Sequence, residues 1–280
     1  MKEITCNEII NTVEKLCIKA NTLLPPETAM LIECASESEP SPAGRGVLQD
    51  LVENFTYAGL NNLPICQDTG MAVVFADLGQ DVHIAGGYFE DAVNEGVRRG
   101  YENGCLRKSV VADPLRRVNT NDNTPAVIHT RIVPGDTLTL TVCPKGFGSE
   151  NMSAMKMFLP SCKVEDILDF IVDTVDKAGS NPCPPIILGV GLGGTVEQAA
   201  LLAKRALIRP MDRRNEDSFY ADMENRALEM INRLGLGPQG FGGVTTALAV
   251  NIDAYPTHIA GLPCVVNVSC HASRHAEAVL

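Results

Sequence analysis

The chain has 280 residues, 45% of them hydrophobic, and a formal net charge of −11. That suffices for one large domain or two small ones with a real core, and an acidic chain lacks the concentrated Lys and Arg that nucleic acid demands. No stretch reaches the roughly 18–20 consecutive apolar residues of a membrane span, and Met1-Lys2-Glu3-Ile4 lacks the apolar run of a secretion signal, so a cytoplasmic protein is expected.

Ile9, Val13, Leu16, Cys17 and Ala20 recur at helical spacing and predict a helix over residues 5–22. A second helix starts after Pro25-Pro26, since proline suits a first turn. Ser38-Glu-Pro-Ser-Pro42 marks a loop, and a third helix runs through Val47, Leu51, Val52 and Phe55. Residues 1–60 therefore read as a helical layer, and residues 61–280 as the mixed α/β part of the same domain. Met71-Ala-Val-Val-Phe-Ala reads as a buried strand, and Asp91–Tyr101 as a helix. Val127–Val133 and Thr137–Val142 are rich in β-branched residues and predict strands around a Pro134-Gly135-Asp136 turn. Helix follows over Val164–Lys177, strand over Pro185–Val190, and helices over Thr195–Ile208 and Ser218–Leu234. Thr245–Val268 reads as extended. The fold class is α/β, mixed α+β, with a helical N-terminal layer packed on a mixed sheet.

Gly189, Gly191 and Gly194 match G-x-G-x-x-G between a strand and a helix, and Thr195 and Gln198 have capping-box spacing. The context suits a dinucleotide loop, with Asp212 near the place of a ribose-binding acid. The position does not: a Rossmann unit opens its domain, and here more than half the chain comes first. The alternatives are an anion-receiving helix start and a tight turn that needs glycine at positive φ.

Ten cysteines is a high count, and in a reducing compartment it points to metal or catalytic use for some of them. Cys17 and Cys34 lie on apolar helical faces and read as core, as does Cys264. Cys66, Cys183 and Cys270 differ, because each lies at an element boundary beside Pro, Gly or polar residues. Their spacing is unlike the compact cysteine runs of ferredoxins, and spacing alone does not make them ligands.

Their surroundings say more. Pro64-Ile-Cys-Gln-Asp-Thr-Gly70 resembles the signature of class I (iron–sulfur) fumarases and the related L(+)-tartrate dehydratases. The resemblance continues through Leu106-Arg-Lys-Ser109, Asn119-Thr-Asn-Asp-Asn-Thr-Pro-Ala126, Lys145-Gly-Phe-Gly-Ser-Glu-Asn151 and Asn181-Pro-Cys-Pro-Pro185. It ends in Pro256-Thr-His-Ile-Ala-Gly-Leu-Pro263 and Val268-Ser-Cys-His-Ala-Ser-Arg-His275. These blocks keep the family's order over almost the whole chain.

The resemblance implies that Cys66, Cys183 and Cys270 hold a [4Fe–4S] cluster with one iron left open as a Lewis acid. It implies Asp68 and His258 as catalytic residues, and Gln67, Arg107, Gly146 and Gly148 as substrate-binding residues. Phe147 departs from the glycine common in that loop. His271, Arg274 and His275 are read as groups that tune the cluster or meet another subunit. The implied reaction is the reversible hydration of fumarate to (S)-malate, a step of the tricarboxylic acid cycle. Dehydration of L(+)-tartrate is the nearest alternative, and an iron–sulfur scaffold or regulatory binding protein is an alternative of another class. Single-chain family members carry a second domain that supplies the base. This chain ends soon after Cys270, so it is expected to act as an α subunit with a β subunit, as an α2β2 heterotetramer on a small dicarboxylate.

Overall fold

The computed structural model describes residues 2–280. In chain order the elements are β1 (Lys2–Thr5), α1 (Cys6–Thr22), α2 (Pro26–Ser38), α3 (Pro42–Asn61), β2 (Met71–Gly79), β3 (Val82–Ala85), α4 (Phe89–Asn103), β4 (Val127–Val133), β5 (Leu138–Lys145), α5 (Phe147–Glu150), β6 (Ala154–Phe158), α6 (Val164–Ala178), β7 (Ile186–Gly193), α7 (Val196–Ala206), α8 (Ser218–Asn232), β8 (Ala247–Tyr255), β9 (Leu262–Ser269) and β10 (Ala276–Val279). The class is mixed α+β, as the sequence pattern predicts. No helix among the described residues is long and apolar enough to cross a membrane.

The described chain divides into two compact units, the first made of residues 2–25, 55–147 and 274–280, the second of 26–54 and 148–273. In the first, the sheet order is β10-β5-β2-β4. Strand β2 runs parallel to β4 and antiparallel to β5, with Val74 opposite Val142. A separate parallel pair joins β1 to β3. Helix α1 opens with a capping box, Thr5 and Glu8 each accepting from the other's backbone. Its apolar stripe, Ile9, Val13, Leu16 and Cys17, is buried with Val93, Val97 and Tyr101 of α4.

In the second unit the order is β6-β9-β7-β8, with β7 parallel to β8 and antiparallel to β9. Its core gathers Ile171, Val175, Leu188, Val190, Ile231, Val250 and Val266. Among the described residues the edge strand β6 pairs only with β9.

The three N-terminal helices do not stay together. Helix α1 belongs to the first unit, α2 to the second, and α3 passes from the second into the first at residues 54–55. The short strands β1, β3, β6 and β10 are additions to the elements expected from sequence. Cys34 is exposed, contrary to expectation. Helix α2 buries Thr28 and Ile32, and two residues beyond Ile32 is about 200° around the helix. Cys17 and Cys264 are buried as expected.

Candidate functional site

In the first unit the Cys66–Gly70 loop enters β2. Gly70 has φ +74°, and a Cβ there would lie 2.8 Å from the Lys145 backbone, so only glycine fits. Asp68 ties two segments together. Its Oδ1 accepts from the Gly70 N–H at 2.9 Å and its Oδ2 from the Phe147 N–H at 3.0 Å. Gly146 is close enough that an added Cβ would stand 3.2 Å from Asp68 Oδ2. The Arg274 guanidinium, buried, donates to the Asp68 carbonyl.

Behind the loop, the buried Tyr101 hydroxyl donates to Thr69 O at 2.7 Å and Gly70 O at 3.0 Å. Asn123 is fully buried; its amide donates to Gly70 O and its oxygen accepts from the Ser109 and Val110 N–H groups. The Thr69 hydroxyl donates to Arg107 O at 3.0 Å. These bonds bring Cys66, Gln67, Asp68, Arg107 and Gly146 into one loop cluster. Gln67 and Arg107 are exposed at its surface, and Gln67 Oε1 lies 3.4 Å from Cys66 Sγ.

In the second unit Cys183 precedes β7 and Cys270 follows β9. The antiparallel register pairs Ile187 with Ser269, so both cysteines lie at one end of the sheet. Cys183 is exposed and has φ +56°, a left-handed conformation that costs a non-glycine residue on the order of 1–3 kcal/mol. Its N–H donates to Ser180 O at 3.0 Å, and His271 Nδ1 lies 3.1 Å from its carbonyl oxygen. Gly148 approaches the same turn, with an added Cβ 3.7 Å from Asn181 O.

His258 is elsewhere. It is in the β8–β9 connection, at the other end of β9 from Cys270, about 25 Å away along eight strand residues. Its Nδ1 accepts the Ala260 N–H at 3.1 Å, which leaves Nε2 as the donor of the neutral ring. Thr257 holds this connection, donating to Gly194 O at 2.9 Å. A cleft of about 550 Å³ lies here, with His258, Met155, Met157 and Thr195 among its lining.

The glycine loop beside it is built for packing. A Cβ at Gly189 would stand 2.0 Å from Ala203 O, and one at Gly191 2.0 Å from Ala199 O. These glycines let α7 lie directly on β7. Gly193 and Gly194 turn the chain at φ +85° and +67°. Thr195 makes no side-chain cap bond, so the capping box expected there is absent. Sequence reasoning also missed Tyr101, Asn123 and Gln239, whose polar groups hold the site loops. Asn123 lies within a family-like block, but neither Tyr101 nor Gln239 carries any local signal.

The cysteines sort by accessibility. Burial pushes the Cys17 and Cys264 thiols up to about 12, which keeps them protonated and unsuited to metal. Cys66, Cys183 and Cys270 are all at least partly exposed, at loop positions, and none is in a disulfide. As a donor set, three accessible thiols fit an iron–sulfur cluster. Among the described residues no three His, Cys, Asp or Glu groups converge to hold a single metal ion.

The model of the fumarate hydratase (Fumerase) family matches residues 10–279. A Methanocaldococcus jannaschii protein, provisionally named L(+)-tartrate dehydratase subunit alpha, is 37% identical over 275 residues, covering 96% of both chains. The L(+)-tartrate dehydratase subunit alpha of Escherichia coli K12 is 28% identical over 277 residues, covering 98% of this chain and 91% of its own. The chain belongs to the fumarate hydratase family and is a hydro-lyase.

Proposed function

We propose that this chain is the α subunit of a hydro-lyase that interconverts fumarate and (S)-malate, completed by a β subunit in an α2β2 assembly in the cytoplasm. The observation that carries the reading is the loop cluster of the first unit. There the Thr69 hydroxyl donates to Arg107 O and ties the Arg107 backbone to the loop that carries Gln67 and Asp68. A guanidinium can clamp a carboxylate with two parallel hydrogen bonds, and the Gln67 amide offers a further donor.

Cys66, Cys183 and Cys270 would hold a [4Fe–4S] cluster. When bound, the cluster supplies a Lewis acid at the iron that no thiolate occupies. The chain's own residues bind and orient. Arg107 neutralises one substrate carboxylate, and Gly146 and Gly148 let backbone approach it. Asp68 fixes the pose by tying the Cys66–Gly70 loop to the 146–147 segment. Dehydration removes a proton from the carbon beside one carboxylate while hydroxide leaves the adjacent carbon. The β subunit supplies the base for that proton.

His258 donates through Nε2. Because it stands at the opposite end of β9 from Cys270, it serves substrate held at the cysteine end of a second copy. The symmetric pairing of α subunits in an α2β2 assembly provides that copy.

A second reading, dehydration of L(+)-tartrate, is favoured by the names of the two relatives. The substrates differ by one hydroxyl, and the test is direct. Co-purify the chain with a β-type subunit, reconstitute it anaerobically with iron and sulfide, and measure turnover of fumarate, (S)-malate and L(+)-tartrate. Turnover of one pair assigns the substrate. Inactivity on all three refutes the hydro-lyase assignment, and full activity from the isolated chain refutes the division of the site.

A further inference from the structure

We infer that Gln239 is a positioning residue for Cys183, holding the strained Cys183–Pro184 backbone through two donors to one carbonyl. The inference rests on the reading of Cys183 as a cluster ligand and deepens it. The Gln239 N–H donates to Pro184 O at 2.8 Å, and its side-chain Nε2 donates to the same oxygen at 2.7 Å. Nε2 also lies 3.2 Å from His271 Nδ1, the ring nitrogen beside Cys183 O. One amide thus reaches both the carbonyl that follows Cys183 and the histidine that follows Cys270.

The loop that carries Gln239 is itself fixed. Gln239 adopts φ +51° in a 3-10 turn over Pro238–Gly240. Gly240 presses on the turn before Cys183, where an added Cβ would meet Ser180 Cβ at 2.5 Å. The Thr246 hydroxyl accepts from the Gly237 N–H. Beyond it, the buried Glu39 carboxylate accepts from Val244 and Thr245 N–H groups. A left-handed non-glycine residue persists only where its surroundings over-determine it, and here they converge on Gln239. Thiolate direction at Cys183 depends on that backbone, so loss of the amide loosens one ligand while leaving the other two.

The test uses the full chain as wild type, Gln239→Met, Gln239→Ala and Cys183→Ser. Methionine keeps the length and the backbone N–H and removes only the side-chain donor. Each protein is reconstituted anaerobically with ferrous iron and sulfide, and iron loss to a ferrous chelator is timed. In the cluster-free chains, iodoacetamide labelling of Cys66, Cys183 and Cys270 is measured by peptide mass spectrometry. Both Gln239 variants should lose iron roughly tenfold faster, the scale seen when an outer partner of a metal ligand is removed. Only the Cys183 labelling rate should change. Iron retention equal to wild type in Gln239→Met, with retention lost in Cys183→Ser, overturns the role of Gln239 and leaves the ligand assignment standing. Wild-type retention in Cys183→Ser overturns both. Equal changes at all three cysteines in Gln239→Met indicate general loosening and overturn the inference.

Discussion

Alanine at Gly191 should destabilise the second unit sharply without touching any ligand. Its Cβ would stand 2.0 Å from Ala199 O, 2.8 Å from Ala203 N and 2.9 Å from Ala199 C. All three are backbone atoms of α7, so no side chain can swing aside. The helix must move off β7 by more than an ångström. That opens the small cluster of Ala199, Ala203 and Val265, and Val265 is the β9 partner of Gly191 itself. Overpacking of a tight core costs typically 1–3 kcal/mol, and a rigid backbone clash belongs at about 3 kcal/mol or above. For a chain of this size that is a fall in melting temperature of roughly 6–12 °C. Gly46→Ala is the control. Gly46 lies in α3 with nothing within 4 Å of an added Cβ, and alanine there should add about 0.5–1 kcal/mol through helix propensity. Calorimetry or far-UV circular dichroism reads both. Adding NAD⁺ or NADP⁺ should shift neither melting temperature, since the glycines serve packing and not a dinucleotide. Wild-type stability in Gly191→Ala, or a rise with a dinucleotide, would refute the reasoning.

Four other outcomes are expected. Tyr101→Phe removes the hydroxyl donor from the Thr69 carbonyl and one of the two donors from the Gly70 carbonyl, which keeps the Asn123 amide; this should lower stability by about 1–2 kcal/mol in urea titration. Arg107→Ala in the reconstituted α/β pair should raise KM by at least tenfold while iron content stays at the wild-type level; an unchanged KM would remove the carboxylate clamp. Chains carrying His258→Asn and chains carrying Cys183→Ser should each be inactive, yet regain roughly a quarter of wild-type activity when refolded together, because statistical mixing restores one intact shared site per hybrid pair; no recovery would show that His258 serves its own copy or none. Glu39 gives a pH signature. Burial alone would raise its carboxyl, but hydrogen bonds from Thr245, Ser41 and Val244 outweigh burial and hold it below the ordinary carboxylate range. A depressed carboxyl stabilises the fold above its unfolded value and loses that contribution as pH falls through the folded one. Glu39→Gln should therefore be less stable than wild type at neutral pH, and the gap should close in acid; a gap independent of pH would refute the assignment.

How much of this was legible in the sequence depended on the range of the interaction that decides each feature. Helices α1, α4 and α6 carry their own apolar stripes, and β2, β4, β5 and β7 their own β-branched or apolar runs, so period alone locates them. Strand β10 reads Ala-Glu-Ala-Val and exists because β5 offers it a ladder from Val142 to Thr139. Nothing within four residues announces that. Cys34 shows the same limit in reverse: a lone apolar residue on a helix says little until its angle to Ile32 is counted. The site divides along this line too. The Cys66–Gly70 block is recognisable as a string, but its supports come from Tyr101, Asn123, Phe147 and Arg274, up to 206 residues away. Motif glycines mislead for a related reason. Gly189 and Gly191 are fixed by the carbonyls of a helix that lies on them, while Gly194 is fixed by its own positive φ. One written pattern therefore mixes two physical causes. The candidate site residues are at least partly exposed loop residues that look ordinary singly, and buried polar groups bind those loops together. The strongest constraint on mechanism is of that long-range kind: the β7–β9 ladder sets Cys183 and Cys270 at one end and His258 at the other. On the proposed reading, groups from both ends of β9 meet at one substrate when a second copy supplies His258.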